Sequence, residues 1–315
     1  MIDARLITLR TFAQCGTVAA TAQLMGYSAS AVSAQLRELQ RALGMTLLAK
    51  DGRGLRLTAT GRDLVRRSDV LITTWEEVRS AALTAGGHVP THFGIGGFST
   101  AASQLLAPLA SRLLRTRPEL EVRVWEASPA RCFDLLVAEH IDVAVVVSMQ
   151  GQVHLEEDPR FEKMTLLDDP LDVMVPSDHA VAGRDSVELE ELVGERWITD
   201  QPGSPYHALF TAAFTTAGLS PRISHEAIEW ETAISLVGAG VGVGLLPRLA
   251  SLEGVANVSR VRLTGAERLS RKVIAAVRAG SLSSPLQDES IRILREISQG
   301  ILATRLEDEV RAEAR

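Results

Sequence analysis

Within the first 58 residues, three glycines each close a helical period, and that punctuation constrains the fold more than any other feature. Leu6, Leu9, Phe12 and Ala13 recur at helical spacing over residues 3–14. Gly16 ends that helix, and Thr17 is placed to cap a second one from Val18 to Met25. Ala19, Ala20 and Ala22 in it leave room for close approach of a neighbour. Gly26-Tyr27 interrupts the pattern, and Ser28 is a fresh N-cap for Ala29 to Leu43, whose Val32, Leu36, Leu39 and Leu43 share a face. Two helices joined by a short glycine-bearing turn make a helix-turn-helix, a motif whose second helix enters the major groove of DNA. After Gly44, Met45–Leu48 and Leu55–Leu57 read as two short strands around Lys50-Asp51-Gly52-Arg53-Gly54. A basic tip of that kind is a wing that reaches phosphates or the minor groove; taken alone, a solvated loop fits equally well.

Charge is distributed accordingly. Residues 1–67 carry ten Lys/Arg against four Asp/Glu, a net of +6, whereas the remainder carries 23 against 35, a net of −12. A basic head on an acidic body points to a polyanion as the partner of the head alone.

The stretch LRTFAQCGTVAATAQLMGYSASAVSAQLRELQRALGMTLLAKDGRGLRLTATG resembles the N-terminal module of the LysR-type transcriptional regulators. The resemblance rests on Leu9 with Phe12, Gly16-Thr17-Val18, Thr21-Ala22, Leu24, Ser28, Ser30 to Ser33, Gln35-Leu36, Leu39, Leu43-Gly44, Leu47-Leu48, Lys50, Arg53, Leu57-Thr58 and Gly61. It implies double-stranded DNA as partner, with Ser28, Ala29, Ser30, Ser33, Ala34, Gln35 and Arg37 on the reading helix and Lys50 and Arg53 on the wing. Two positions depart from the family pattern. Where members often carry Gln after the capping serine and Arg after the serine matching Ser33, this chain has Ala29 and Ala34. Either longer side chain makes bidentate contacts worth roughly 1–3 kcal/mol of base discrimination, and alanine offers only a methyl group. Looser sequence discrimination is therefore expected, carried by Ser30, Ser33, Gln35, Arg37, the wing and DNA shape.

Thr58 is a suitable N-cap for a long helix reaching about Ala85. Leu64, Leu71, Val78 and Ala85 alternate with Ser68, Trp75 and Ala82 in a near-heptad seam. A helix packed on its own domain is one reading and a dimerising helix the other; the resemblance implies pairing into homodimers, and often homotetramers, with two heads on half-sites about one DNA turn apart.

Beyond a hinge at Gly86-Gly87-His88-Val89-Pro90, strand candidates alternate with helices: Thr91–Gly96, a helix over 100–114, Glu121–Trp125, a helix over 129–139, then Ile141–Val147. That βαβ repeat predicts a parallel sheet covered by helices. A second unit of the same kind is expected over 165–267, with strands at Leu171–Val175 and Trp197–Thr199 and helices near 205–217 and 230–238. A strand at 271–278 and a helix at 285–303 close the chain. The fold class expected is α/β multidomain: a winged helix-turn-helix (1–58), a linker helix and hinge (59–88), and a two-lobed, periplasmic-binding-protein-like effector domain (89–303), followed by a charged, helix-prone tail (304–315). The resemblance makes lobe 1 about 91–164 with 268–303, and lobe 2 about 165–267.

Ligands of open α/β lobes sit beyond the carboxyl ends of strands. Gly96-Gly97-Phe98-Ser99-Thr100 ends the first strand just before a helix, where Ser99, Thr100 and free N–H groups suit an anion, or where the hydroxyls merely cap the helix. Gln201, Pro202 and Ser204 form the matching loop of the second lobe; Ser128, Ser148 and Glu226 join them by position in the family pattern. A small carboxylate effector held between the lobes follows, and the resemblance implies that it alters half-site spacing or DNA bend.

Enzyme signatures do not assemble. GAGVGVGLLP (238–247) follows a helix and ends in Leu-Leu-Pro, whereas a dinucleotide loop follows a strand and opens a helix. The seven histidines form no HxxxH-type pair, and Cys15 and Cys132 have no metal-ligand spacing, which leaves free thiols. Neither catalytic residues, a metal nor a cofactor is expected. No apolar run approaches the roughly 18–20 residues that span a bilayer, and no secretory signal opens the chain, so a cytoplasmic protein without a membrane partner is expected.

Overall fold

The computed structural model describes residues 2–52, 54–86, 90–148, 158–265 and 269–313, with the backbone alone for residue 302 and residues 304–313. Two compact units result: Met1–Val146 with Glu156–Met164 and Ala275–Leu294, and Val147–Leu155 with Thr165–Ile274 and Arg295–Arg315. The head (1–58) and the linker helix (59–88) thus belong to the same unit as the first α/β lobe.

The first unit begins with α1 (Ala4–Cys15), α2 (Val18–Met25) and α3 (Ala29–Leu43). Their caps are those read from the sequence: the Thr17 hydroxyl accepts from the Ala20 N–H and the Ser28 hydroxyl from the Ala31 N–H, both at 3.1 Å. Gly16, Gly26 and Gly44 close the helices in the left-handed region. Leu9, Phe12, Ala22, Val32, Leu36, Leu39, Leu47 and Leu48 make the core of the head. Antiparallel β1 (Leu48–Asp51) and β2 (Gly54–Leu57) flank the wing tip, with Lys50 opposite Leu55. The Thr58 hydroxyl accepts from the Gly61 N–H at 3.0 Å and opens α4 (Ala59–Gly86).

Helix α4 buries a mostly polar face and leaves an apolar one open. Ser68, Ile72, Glu76 and Ser80 are buried, whereas Leu71 and Val78 are 51% and 55% exposed and Trp75 is also open. From Leu71 onward the expected seam is therefore the solvent face of this chain; Leu64 packs half-buried on the core of the head, and Ser68 turns inward and donates to the Val65 carbonyl at 2.7 Å.

The lobe of the first unit has β3 (His92–Gly97) parallel to both β4 (Glu121–Glu126) and β5 (Val143–Ser148). The helix expected after β3 is broken into α5 (Ser99–Ala101), a π turn (Ala102–Leu106) and α6 (Ala107–Thr116). Helix α7 (Pro129–Val137) joins β4 to β5.

The second unit is a mixed sheet instead of a purely parallel one. Strand β6 (Phe161–Pro176) enters from the first unit, β7 (Ser186–Val187) follows, and β8 (Arg196–Thr199) leads into α8 (Pro205–Thr216). Then come β9 (Arg222–Glu226), α9 (Trp230–Gly238), β10 (Val243–Pro247), β11 (Val258–Leu263) and the start of β12 (Ser270–Arg278); the end of β12 and the first ten residues of α10 (Pro285–Glu313) belong to the first unit. β8 lies parallel to β9 and β10, while β6 runs antiparallel to β10 and β11. β7, β9, β10 and β11 are too short or too interrupted to carry a period of their own. Trp197, Phe210 and Phe214 stack edge-on in the core of this unit, ring centroids about 5 Å apart. The backbone of α10 continues helical to Glu313, so the helix-prone residues 304–313 extend the closing helix. In GAGVGVGLLP the chain passes from α9 to β10, and a Cβ on Gly242 would lie 2.5 Å from the Arg196 carbonyl oxygen.

Candidate nucleic-acid interface and effector loops

On α3 the buried row Val32, Leu36, Leu39 leaves the opposite side open: Ser28, Ala29, Ser30 and Arg37 are exposed, and Ser33, Ala34 and Gln35 are half-buried. Ser30, Ala34, Arg37 and Arg41 follow one another at i, i+4, i+7 and i+11, one continuous stripe. Arg41 was not singled out from the sequence, although its helical offset from Arg37 carries the signal. The Ser28 and Ser30 hydroxyls hydrogen-bond at 2.9 Å while Ser28 caps the helix, so the two act together. Gln35 has a partner that no local pattern reveals: its Oε1 accepts from the Thr8 hydroxyl on α1 at 2.5 Å. Gln40 Oε1 accepts from the N–H groups of Leu47 and Leu48, at 2.9 and 3.0 Å, and so fixes the start of the wing to the reading helix. Lys50 is exposed on β1, and Arg53 lies outside the described residues. Arg62 donates to the Leu57 carbonyl at 2.9 Å, and Arg66 and Arg67 both pair with Asp63.

In the first unit the Ser99-Thr100 loop follows β3, and Phe98, with no side-chain cap, precedes the helix. Ser99 and Thr100 are thus the first residues of α5 and not its cap; Ser99 is half-buried and Thr100 buried. Ser128 does cap, accepting from the Arg131 N–H at 3.4 Å, and Ala127 donates to the Gly97 carbonyl at 2.9 Å. The ends of β3 and β4 are thereby joined, and buried Ser148 is the last residue of neighbouring parallel β5.

In the second unit Gln201 and Pro202 are exposed, and Ser204 caps α8 by accepting from the His207 N–H at 3.0 Å. Ser204 also donates its backbone N–H to the Gln201 carbonyl, 3.2 Å, closing the loop on itself. Exposed Glu226 stands in register with Thr199 across β8 and β9. Thr199 is buried with its hydroxyl lacking a hydrogen-bond partner among the described residues, at the mouth of the same loop. The sequence signal for it was its place as the last residue of a strand. Beneath the loop, the Tyr206 hydroxyl donates to the Leu245 carbonyl at 2.6 Å, and burial raises its pKa far enough that it remains a neutral donor.

Among the described residues no group of three or more His, Cys, Asp and Glu is placed to hold a metal ion, and no helix is long and apolar enough to cross a membrane.

Comparison with known proteins agrees with this geometry. Residues 4–62 match the family described as bacterial regulatory helix-turn-helix protein, lysR family, and residues 87–299 match the LysR substrate binding domain. The HTH-type transcriptional regulator TtuA of Agrobacterium vitis is 28% identical over 284 residues, covering 87% of this chain and 90% of its own. The small neutral protease regulatory protein of Streptomyces coelicolor is 31% identical over 241 residues, 75% of this chain and 70% of its own. A full-length OxyR variant from Pseudomonas aeruginosa superposes with a TM-score of 0.64 at 20% identity, covering 95% of both chains. Its likeness is one of fold. The chain belongs to the LysR family, as a DNA-binding transcriptional regulator with a helix-turn-helix head and an effector-binding domain.

Proposed function

We propose that the chain works in the cytoplasm as a non-catalytic, effector-controlled regulator, a homodimer or an assembly of dimers that reads two half-sites. Helix α3 enters the major groove with Ser28, Ala29, Ser30, Ser33, Ala34, Gln35 and Arg37, and Lys50 and Arg53 grip backbone or minor groove. The observation that carries this reading is the open stripe on α3: Ser30, Ala34 and Arg37 face solvent directly opposite a fully buried row. Leu71, Trp75 and Val78, exposed along α4, support pairing through the linker helix, since water is a costly neighbour for such a row. A small anionic effector is the ligand, contacted by Ser99, Thr100, Ser128, Ser148, Gln201, Pro202, Ser204 and Glu226. The place of Ser99 and Thr100 in the first turn after β3 and the unpartnered Thr199 hydroxyl support this assignment.

The test is fluorescence-anisotropy binding of the full-length protein to fragments of its own genome, its own upstream region included, at two salt concentrations. Selective binding that weakens with salt, with a log–log slope of about −0.9 per phosphate contacted, is the expected result. Equal affinity for every fragment, or none, overturns the assignment.

A further inference from the structure

The first unit contains a contact that neither DNA reading nor effector binding requires: the lobe holds the helix-turn-helix itself. His140, just after α7, has its Nε2 2.8 Å from the carbonyl oxygen of Leu24 in the last turn of α2. A carbonyl only accepts, so Nε2 carries the proton and donates. Leu24 is one turn before Ser28, the cap of the reading helix. His140 is presented by Glu139, a non-glycine residue in the left-handed region at φ 59°, a conformation that persists only where its surroundings impose it. The Trp125 ring lies beside the imidazole, centroids 6.1 Å apart.

A second point of contact lies at the end of α1. Gln14 Oε1 accepts from Arg160 Nη1 at 3.1 Å. Arg160 is itself held by Asp158 through Nε and Nη2, at 2.9 and 2.6 Å, so the guanidinium reaching the head is fixed in place. One amide of the head thus meets a charged, immobilised guanidinium of the lobe.

We infer that His140 and Arg160 are positioning residues for DNA reading: they latch α1 and α2 to the lobe and so set the direction in which α3 points. In the latched state the stripe Ser30, Ala34, Arg37 and Arg41 stays uncovered, so the latch orients the head and does not mask it. Its consequence is selectivity for half-site spacing, since a head of fixed direction accepts one separation and a loose head accepts several. This consequence rests on the reading of two half-sites proposed above; the latch itself does not.

The experiment uses the full chain with nitroxide labels on unnatural side chains at Ala42 in α3 and Ser111 in α6, both exposed, diluted with unlabelled protein. Distance distributions are compared for the parent, Gln14→Ala with His140→Ala, and His140→Gln, which keeps an N–H donor. Loss of the neutral His140 bond is expected to raise the undocked population about two- to tenfold, and loss of the Gln14 bond to the Arg160 guanidinium by about tenfold or more. The double alanine variant therefore broadens the distribution and the glutamine variant keeps the parent width. Parent-like width in the double variant overturns the latch, and Gln14→Ala alone, an exposed change, carries the same test if the double variant does not fold. Spacing is read on the duplex that the parent selects from a random-sequence pool, with two base pairs added or removed between half-sites. The double variant is expected to lose the parent's preference for one spacing. A broadened distribution with unchanged spacing preference overturns the consequence while leaving the latch, and no selected duplex at all refutes the half-site reading.

Discussion

Ala29 and Ala34 offer the sharpest test of how this protein reads DNA. Both sit on the open side of α3, Ala29 in its first turn and Ala34 one turn beyond Ser30, between Ser30 and Arg37 on the stripe. Replacing them by Ala29→Gln and Ala34→Arg adds two side chains that make bidentate contacts with base edges. Neither change touches the buried row of Val32, Leu36 and Leu39, so stability is expected to move by no more than about 0.5 kcal/mol. Each contact contributes roughly 1–3 kcal/mol against the wrong base, a factor of about 5 to 150 at one base pair. The assay is selection from a random duplex pool by parent and variant, followed by competition anisotropy with single-base changes in the selected site. Two positions of the half-site are expected to sharpen while the rest keep their tolerance. If Arg at 34 meets a phosphate instead, affinity rises for every sequence and the salt slope steepens by about 0.9. Identical base preferences in parent and variant would refute the reasoning that these alanines loosen recognition.

Three further outcomes are expected. A Cβ at Gly61 would lie 2.2 Å from the Leu47 carbonyl oxygen, which already accepts from the Thr58 N–H, so Gly61→Ala should cost about 1–3 kcal/mol; a melting temperature equal to the parent's would count against that packing. In the second unit, Asp172 accepts from Arg248 at 2.8 and 2.5 Å and from Arg260 at 3.3 Å, all buried or nearly so, and Asp172→Asn should cost about 3–5 kcal/mol in urea unfolding followed through Trp197. Asp169→Asn should cost less, because burial raises the Asp169 carboxyl against the pull of Arg271; the fold holds that proton more tightly than the unfolded chain, so stability contributed there falls as pH rises through the folded value, and equal costs for the two variants would refute the ordering. Burial pushes the Cys132 thiol up to about 12, so iodoacetamide at pH 8 should modify half-buried Cys15 well before Cys132, with mass spectrometry of the folded protein as the check and equal rates as the refutation.

The head was legible in the sequence because its determinants are local. Ser28 caps a helix three residues away and Gly26 closes one four residues back; Val32, Leu36 and Leu39 mark the buried face by their spacing alone. The parallel pairing of β3, β4 and β5 was legible for a similar reason, since a strand–helix–strand run of that length allows little else. Local period could not tell the two faces of α4 apart. Glu76 is buried there with Arg278 Nε 3.9 Å away, and Ser80 donates to the Gly280 carbonyl, both partners some 200 residues on, while Leu71 and Val78 are left outside. The Thr8 hydroxyl that bonds the Gln35 carbonyl, and the Leu24 carbonyl 2.8 Å from the His140 ring, are partners that only the fold supplies. In the second lobe, short strands such as β7 and β9 take their place from neighbours and not from their own residues. The sequence by itself determined which segments become helices and strands, because caps, turns and periodicity act within a few residues. Only the tertiary structure decided which faces meet, because a hydrogen bond or ion pair between distant segments depends on where the chain returns, and no local pattern encodes that return.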